Sequence, residues 1–221
     1  MSYFYYLVIQ AAASLRSRTI KTEGYMKPIS RRKLLTSSAA VVVASTFSLA
    51  EAQSLPTHVA GPFKVRAGEG RPGGQWLVHG EKAFTTKVSG ADVGKTFAVI
   101  EVHTPPGLGP ELHVHPAQNE LIFVLRGSIG LQCGSERTIL RVGDAFMAPL
   151  NVPHAYVTLG AEPAHMLHLF NPAGDMEGFF ADYAPLINVE GEPDHQRLAA
   201  VSEKHGVKVV GPPLLASSFN S

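Results

Sequence analysis

Residues 107–127 read GLGPELHVHPAQNELIFVLRG and carry two histidines and a glutamate at close spacing. Alternate side chains of a strand share one face, so His113 and His115 are expected to project together, about 6–7 Å apart. Pro116 opens a polar turn that returns the chain into the next strand and brings Glu120 beside the two imidazoles. This stretch therefore predicts a pair of strands that present two imidazoles and a carboxylate to one ion.

Short β-rich runs separated by turns follow Glu120. Residues 121–125, LIFVL, predict a strand that is buried on both faces, and Gly127 permits the tight turn after it. Further strands are predicted at residues 129–132, 138–142 and 155–158. His154 opens the last of these strands and adds a third imidazole. The succession of short strands predicts an all-β fold class.

Two motifs in this part of the chain resemble those of the cupin superfamily. The first matches the family pattern at every fixed position and reads Gly107-x5-His113-x-His115-x4-Glu120-x6-Gly127. The second reads Gly143-x5-Pro149-x-Asn151-x2-His154-x3-Thr158. It departs from the pattern at Asn151, where a glycine is usual, and at Thr158, where an asparagine is usual. Asparagine tolerates a positive φ better than other non-glycine residues, so the turn at Asn151 is expected to survive.

The resemblance implies a single cupin β-barrel, or jelly roll, with one or two short C-terminal helices. It also implies one divalent metal ion, and the ligand chemistry leaves Fe, Mn, Ni and Zn open. The four side chains expected to bind it are His113, His115, Glu120 and His154. Such an ion keeps positions free for water or for a small-molecule substrate. Barrels of this family commonly pair through their sheets, so the resemblance further implies a homodimer.

Within the family, residues 105–180 are similar to the quercetin 2,3-dioxygenase-like cupins. This similarity implies a metal-dependent dioxygenase that acts on a small aromatic or enolisable substrate. Glu120 would then serve as a ligand and as a proton acceptor. Tyr156 shares a strand face with His154 and is the second candidate catalytic residue. Two alternatives stay open: a non-oxidative metal-dependent isomerase or lyase, and an exported cupin that binds a metal or ligand without turnover.

The composition limits the classes of function. The chain has 221 residues, of which 45% are hydrophobic, with 19 Lys and Arg against 18 Asp and Glu. These values predict one main soluble globular domain with a removable end. The basic residues are scattered apart from Arg31-Arg32-Lys33, which argues against nucleic-acid binding. Cys133 is the only cysteine, so neither an intramolecular disulfide nor a cysteine-based zinc site is expected.

Residues 1–52 are expected to form an upstream extension plus an export signal, with the true start at Met26. From there, the segment SRRKLL at residues 30–35 precedes an uncharged run and then Ala50-Glu51-Ala52, which is the order of parts in a cleavable signal. The arginine pair resembles a twin-arginine signal. Cleavage after Ala52 would give an exported protein, periplasmic or secreted, without a stable membrane anchor. An uncleaved anchor is disfavoured because the uncharged run is shorter than the roughly 20 residues that span a bilayer.

Residues 53–221 are assigned to the cupin domain with a helical extension. Its further strands are predicted at residues 63–65, 75–78, 83–88, 97–103 and 164–170. Glu101 and His103 share a face of one strand, and the alternation leaves open whether that face is inside or towards solvent. His165 and His168 fall on opposite faces of another strand, so at most one of them can point inward.

Two helices are predicted near the C-terminus. The first is expected to be capped by Asp175 and to carry an apolar stripe of Met176, Phe179, Phe180 and Tyr183 that packs on the barrel. The second is predicted at residues 194–205 and ends before Gly206. Trp76 is expected to pack in the core, and the tail after residue 213 is expected to be loose.

Overall fold

The computed structural model describes residues 60–219. The predicted start at Met26, the export signal within residues 1–52 and the domain boundary at residue 53 lie outside these residues. No helix in the described part of the chain is long and apolar enough to cross a membrane.

Residues 60–219 contain eleven strands and two α-helices. The strands are β1 (Gln75–Val78), β2 (Glu81–Val88), β3 (Ala98–Thr104), β4 (Glu111–Val114), β5 (Asn119–Arg126), β6 (Ser128–Cys133), β7 (Glu136–Arg141), β8 (Ala145–Ala148), β9 (His154–Leu159), β10 (Ala164–Asn171) and β11 (Lys208–Pro213). The helices are α1 (Met176–Ile187) and α2 (His195–Lys204), and short 3-10 turns lie at Gly90–Asp92 and Ala216–Phe219.

The strands form two antiparallel sheets. One sheet has six strands in the order β1-β2-β3-β10-β5-β8, and the other has five in the order β11-β4-β9-β6-β7. Several neighbouring strands in both sheets are far apart in sequence, as in β10 beside β3 and β5, which is the connectivity of a jelly roll. The predicted all-β jelly-roll fold with short C-terminal helices is therefore confirmed.

The core lies between the two sheets. Inward side chains alternate along the strands, and Ile100, Ile122, Ile129 and Met166 are each 1% exposed or less. The prediction that residues 121–125 are buried on both faces was wrong, because only alternate residues of β5 are buried and Leu125 is 37% exposed. In this fold each sheet covers the other on one side only, so the outer face of β5 stays partly open.

Helix α1 packs its aromatic side chains on the end of the six-stranded sheet. The ring of Phe180 lies 4.5 Å from the ring of Phe84 and 6.2 Å from that of Trp76, centroid to centroid. The predicted apolar stripe and the packing role of Trp76 are confirmed. Asp175 precedes the helix but makes no side-chain capping hydrogen bond. Its carboxylate instead pairs with His205, 2.6 Å away, and so ties α1 to the end of α2.

Two predictions at the ends of the domain were wrong. Residues 63–65 do not form a strand, and the part of the C-terminal tail that the structure describes contains a 3-10 turn at Ala216–Phe219. Strand β11 pairs with β4, and the ring of Phe219 lies against Gly130, where a side chain would clash with it. Strand β11 lies at the edge of its sheet, where proline is accommodated because one side of the backbone has no partner strand.

Candidate metal centre

The four predicted ligand side chains meet between the two sheets. Their ligand atoms all lie within 4.8 Å of one another, in a group that we call the inner cluster: His113, His115, Glu120 and His154. Three of these side chains are buried, and His113 is partly exposed. The inner cluster therefore has one open side, at His113.

Both sheets contribute to the inner cluster. His113 lies on β4 and pairs directly with His154, which begins β9, so the sheet register holds these two imidazoles together. His115 follows the end of β4, and the inner cluster is completed by Glu120, near the start of β5 in the opposite sheet. A carboxylate from one sheet thus faces imidazoles from the other.

Backbone carbonyl groups orient two of the imidazoles. Nδ1 of His113 lies 2.7 Å from the carbonyl oxygen of Glu111, and Nδ1 of His154 lies 2.9 Å from that of Val152. A carbonyl oxygen can only accept a hydrogen bond, so each Nδ1 carries the proton and donates. In the neutral rings, Nε2 then presents a lone pair to the centre of the inner cluster, as in metal-binding histidines.

The Glu120 carboxylate is the acidic member of this cluster. Its Oε2 atom lies 2.9 Å from Nε2 of His154 and 3.3 Å from Nε2 of His115. Burial opposes ionisation, but hydrogen bonds with His115, His154 and His168 outweigh it and hold the pKa of Glu120 well below its usual value. The carboxylate is therefore charged when it faces the imidazoles.

The pKa values of two of the imidazoles shift in opposite directions. Burial, together with the neighbouring His154 and His115, lowers the pKa of His113 to about 3. Burial also acts to lower the pKa of His154, but the contact with Glu120 outweighs it and the net shift is upward. One imidazole is thus held neutral while another is stabilised in its charged form.

The donor set fits a divalent metal ion. With Nδ1 protonated, Nε2 of His113 presents a lone pair to the inner cluster, while Nε2 of His154 and Oε2 of Glu120 share one proton in the contact between them. A cation in place of that proton would be shared by all three atoms and would satisfy them in a buried site. Three imidazoles and one carboxylate are borderline ligands that suit Zn, Fe, Ni and Mn.

His168 adds a fifth polar side chain that sequence reasoning did not assign to the site. It lies on β10 and its Nδ1 is 2.5 Å from Oε1 of Glu120, the carboxylate oxygen that faces away from His154. Its Nε2 atom is buried and has no hydrogen-bond partner among residues 60–219. The prediction that at most one of His165 and His168 points inward is confirmed. The alternation of side chains along the strand was the signal in the sequence for an inward-pointing histidine. It could not identify Glu120 as the partner of His168.

Tyr156 is buried on β9, but its hydroxyl group does not contact Glu120. It hydrogen-bonds with Oγ1 of Thr104 at 2.9 Å, and its ring lies 5.7 Å from the ring of His168. Burial raises the pKa of Tyr156, so the hydroxyl stays protonated and can only donate or accept a hydrogen bond. A catalytic role for Tyr156 stays a prediction. Its hydroxyl group would act beside His168.

The loop before β9 positions two ligands through Asn151. This residue has a φ of 62°, as expected from its place in the motif, and its N–H donates to the carbonyl oxygen of His115 at 3.0 Å. The same loop leads directly to His154. A residue that fits the left-handed region is therefore needed for the backbone to connect both ligands.

Substitution of Asn151 tests this requirement. Asn151→Val is expected to destabilise the fold by about 1–2 kcal/mol, because a β-branched residue is strained at positive φ. Asn151→Gly should change the free energy of unfolding by less than about 0.5 kcal/mol, since glycine adopts this φ without strain. Urea denaturation of the two variants and the wild type measures the difference. Equal stability of the two variants would contradict the argument.

Parts of the chain are similar to known proteins. Residues 100–170, about one third of the chain, match the family model described as "Cupin domain". No curated protein gives a significant match.

Several solved structures are similar to parts of the chain. KdgF from Halomonas sp. is 23% identical, with 48% of this chain and 94% of that chain covered and a TM-score of 0.40. The cupin domain of Cnp3 from Schizosaccharomyces pombe is 15% identical, with 35% and 53% covered and a TM-score of 0.33. The DMSP lyase DddQ from Ruegeria pomeroyi is 27% identical, with 40% and 46% covered and a TM-score of 0.36. At these TM-scores the similarities do not bear on activity.

The jelly roll, the His/Glu cluster between its sheets and the match of residues 100–170 to the cupin domain together support the cupin superfamily for this chain.

Proposed function

We propose that this chain is a metal-dependent enzyme of dioxygenase type that acts on a small aromatic or enolisable substrate. One observation carries the proposal: three imidazoles and one carboxylate converge within 4.8 Å in the inner cluster. His113, His115, Glu120 and His154 would hold the ion. When bound, a divalent ion supplies a Lewis acid that polarises a substrate oxygen.

The chain's own proton chemistry centres on Glu120 and His168. The two carboxylate oxygens of Glu120 face different partners, with Oε2 towards His154 and Oε1 towards His168. The carboxylate of Glu120 is placed to receive a proton from an acidic O–H of the substrate, and the 2.5 Å hydrogen bond with Nδ1 of His168 holds Oε1 in position. Because the hydrogen bonds to Glu120 keep its pKa low, the proton it takes must be an acidic one. Glu120 is therefore the proposed general base, and His168 positions it.

Substrate is proposed to approach from the side of His113. Two residues earlier on the same face of β4, Glu111 lines an open surface groove of about 590 Å³ together with His195 and residues of β11. Glu111 and His195 are joined by a 2.8 Å contact at the edge of the groove, so the approach is polar.

The same base supports a second candidate, a non-oxidative isomerase or lyase. Glu120 can remove a proton from one position of the substrate and return it at another without dioxygen, which is an isomerisation, and removal of the proton with departure of a leaving group from the neighbouring carbon is an elimination. To separate the candidates, protein loaded with Fe, Mn, Ni or Zn would be given a panel of flavonols, diketones and hydroxy acids, in air and under argon. Oxygen consumption with product formation supports the dioxygenase, and equal turnover under argon supports the isomerase or lyase. Metal retention without any product contradicts both and favours a binding protein.

The ligand assignment is tested through metal content. Purified His113→Ala and His154→Ala are each expected to hold about one metal equivalent per chain fewer than the wild type, because removing a direct ligand costs more than the roughly 10–100-fold in affinity lost with an outer partner. Elemental analysis gives the content. A suitable control is His79→Asn, which removes an exposed imidazole at a φ of 52° that asparagine tolerates. Wild-type metal content in both alanine variants would contradict the assignment.

A further inference from the structure

A second group of potential ligands lies outside the inner cluster. Glu101 and His103 on β3 and His165 on β10 bring their ligand atoms within 4.8 Å of one another. We call these three residues the outer cluster. His103 is exposed, and His165 is partly exposed, so solvent ions can reach it.

The sheet register places these side chains together. His103 and His165 are direct partners in the β3–β10 pairing, and their rings stack with centroids 4.0 Å apart. Glu101 precedes His103 by two residues on the same face, and its Oε1 atom lies 2.8 Å from Nε2 of His165. Paired strands in the middle of a sheet are rigid, so the three groups are pre-arranged.

The outer cluster faces away from the barrel interior. The alternating neighbours of its members, Val102 on β3 and Met166 on β10, are buried in the core. His168 lies three residues from His165 and therefore points to the opposite face, where it contacts Glu120. The sheet thus separates the outer cluster from the inner cluster, and the two can bind ions independently.

We propose that the outer cluster is a second metal site, which takes a divalent transition ion such as Zn²⁺, Cu²⁺ or Ni²⁺. Two imidazoles and one carboxylate are ligands that suit these ions. Donor atoms around tetrahedral zinc lie roughly 3.3 Å apart. The ligand atoms of the outer cluster lie within 4.8 Å of one another, so side-chain shifts of about 1 Å would bring them to that distance. Water fills the remaining positions on the solvent side.

Lys87 is the competing cation at this site. Its Nζ atom lies 2.6 Å from Oε2 of Glu101 and 2.8 Å from the carbonyl oxygen of Glu69. The ammonium group neutralises the carboxylate that a metal ion needs, so it weakens metal binding through charge competition. Occupation of the outer cluster therefore requires the side chain of Lys87 to move away from Glu101.

Zinc stoichiometry and affinity test the proposal. Equilibrium dialysis against Zn²⁺ is expected to give one more bound equivalent for the wild type than for His103→Ala or His165→Ala. His103 is exposed, so the His103→Ala variant is expected to keep its fold, which circular dichroism checks. Lys87→Met is expected to bind the additional zinc about tenfold more tightly, because the competing charge is gone. The His79→Asn variant should bind as many equivalents as the wild type.

Each result of the zinc-binding experiment either supports or overturns the second site. Loss of one equivalent in both alanine variants, with tighter binding in Lys87→Met, supports the second site. If the wild type and His103→Ala bind the same number of zinc equivalents, the second site is overturned. This result does not depend on the inner cluster, because both proteins contain it unchanged. Unchanged or weaker zinc binding in Lys87→Met overturns the competition between Lys87 and the ion.

Discussion

The Glu120→Gln variant is expected to bind its metal more than about a hundredfold more weakly than the wild type. Partners of metal ligands that do not touch the metal already contribute roughly 10–100-fold in affinity, and Glu120 is proposed as a direct ligand. Glutamine keeps the size of the side chain but removes the negative charge that faces the Nε2 atoms of His115 and His154. The electrostatic attraction for a cation is lost while the packing between the sheets is preserved.

Metal titration in competition with a chelator measures this change. Glu162→Gln is the matched control, because that carboxylate is exposed and pairs with the exposed Arg126 on the surface. A companion variant, His168→Ala, leaves all four proposed ligands intact and shows whether the contact at Oε1 of Glu120 affects affinity. Wild-type affinity in Glu120→Gln would exclude the carboxylate as a ligand.

The Phe170→Ala variant is expected to lower the free energy of unfolding by about 3–5 kcal/mol, the usual cost of truncating a buried phenylalanine. Phe170 is 1% exposed and lies opposite Glu120 in the β5–β10 pairing. Its ring is 5.6 Å from that of His115 and 6.2 Å from that of Phe180, so it fills the space between the inner cluster and α1. The truncation leaves a cavity at this junction.

Urea denaturation followed by tryptophan fluorescence reports the loss through Trp76, which packs near α1. Phe63→Ala is the comparison, since Phe63 is 42% exposed and its truncation should cost less than about 1 kcal/mol. If Phe170→Ala lowered the free energy of unfolding by less than about 1 kcal/mol, the packing of Phe170 between the inner cluster and α1 would not stabilise the fold as argued.

The sequence was sufficient for those features that depend on local pattern. His113 and His115 share a face because they are two residues apart, and Asn151 has the positive φ that its place in the motif requires. The helix stripe of α1 follows from its 3.6-residue period. Each of these features is determined within a few neighbouring residues.

Features that depend on pairing between distant strands could not be predicted in this way. His168 meets Glu120 because β10 lies beside β5, and the two residues are 48 positions apart. His165 joins Glu101 and His103 for the same reason, through the pairing of β10 with β3. Strand β11 was not predicted, because proline disfavours a strand except at a sheet edge, and the pairing with β4 that creates this edge joins distant positions.

The inner cluster joins Glu120 of one sheet to His113 and His154 of the other, and this arrangement has a thermodynamic consequence. A cation held by all four would cross-link the two halves of the sandwich, and the unfolded chain could not reproduce that arrangement. Resistance to denaturation would then rise with the logarithm of free metal concentration, by about 2.7 kcal/mol at one hundred times the dissociation constant. The melting temperature of the domain would therefore report how much metal its surroundings supply.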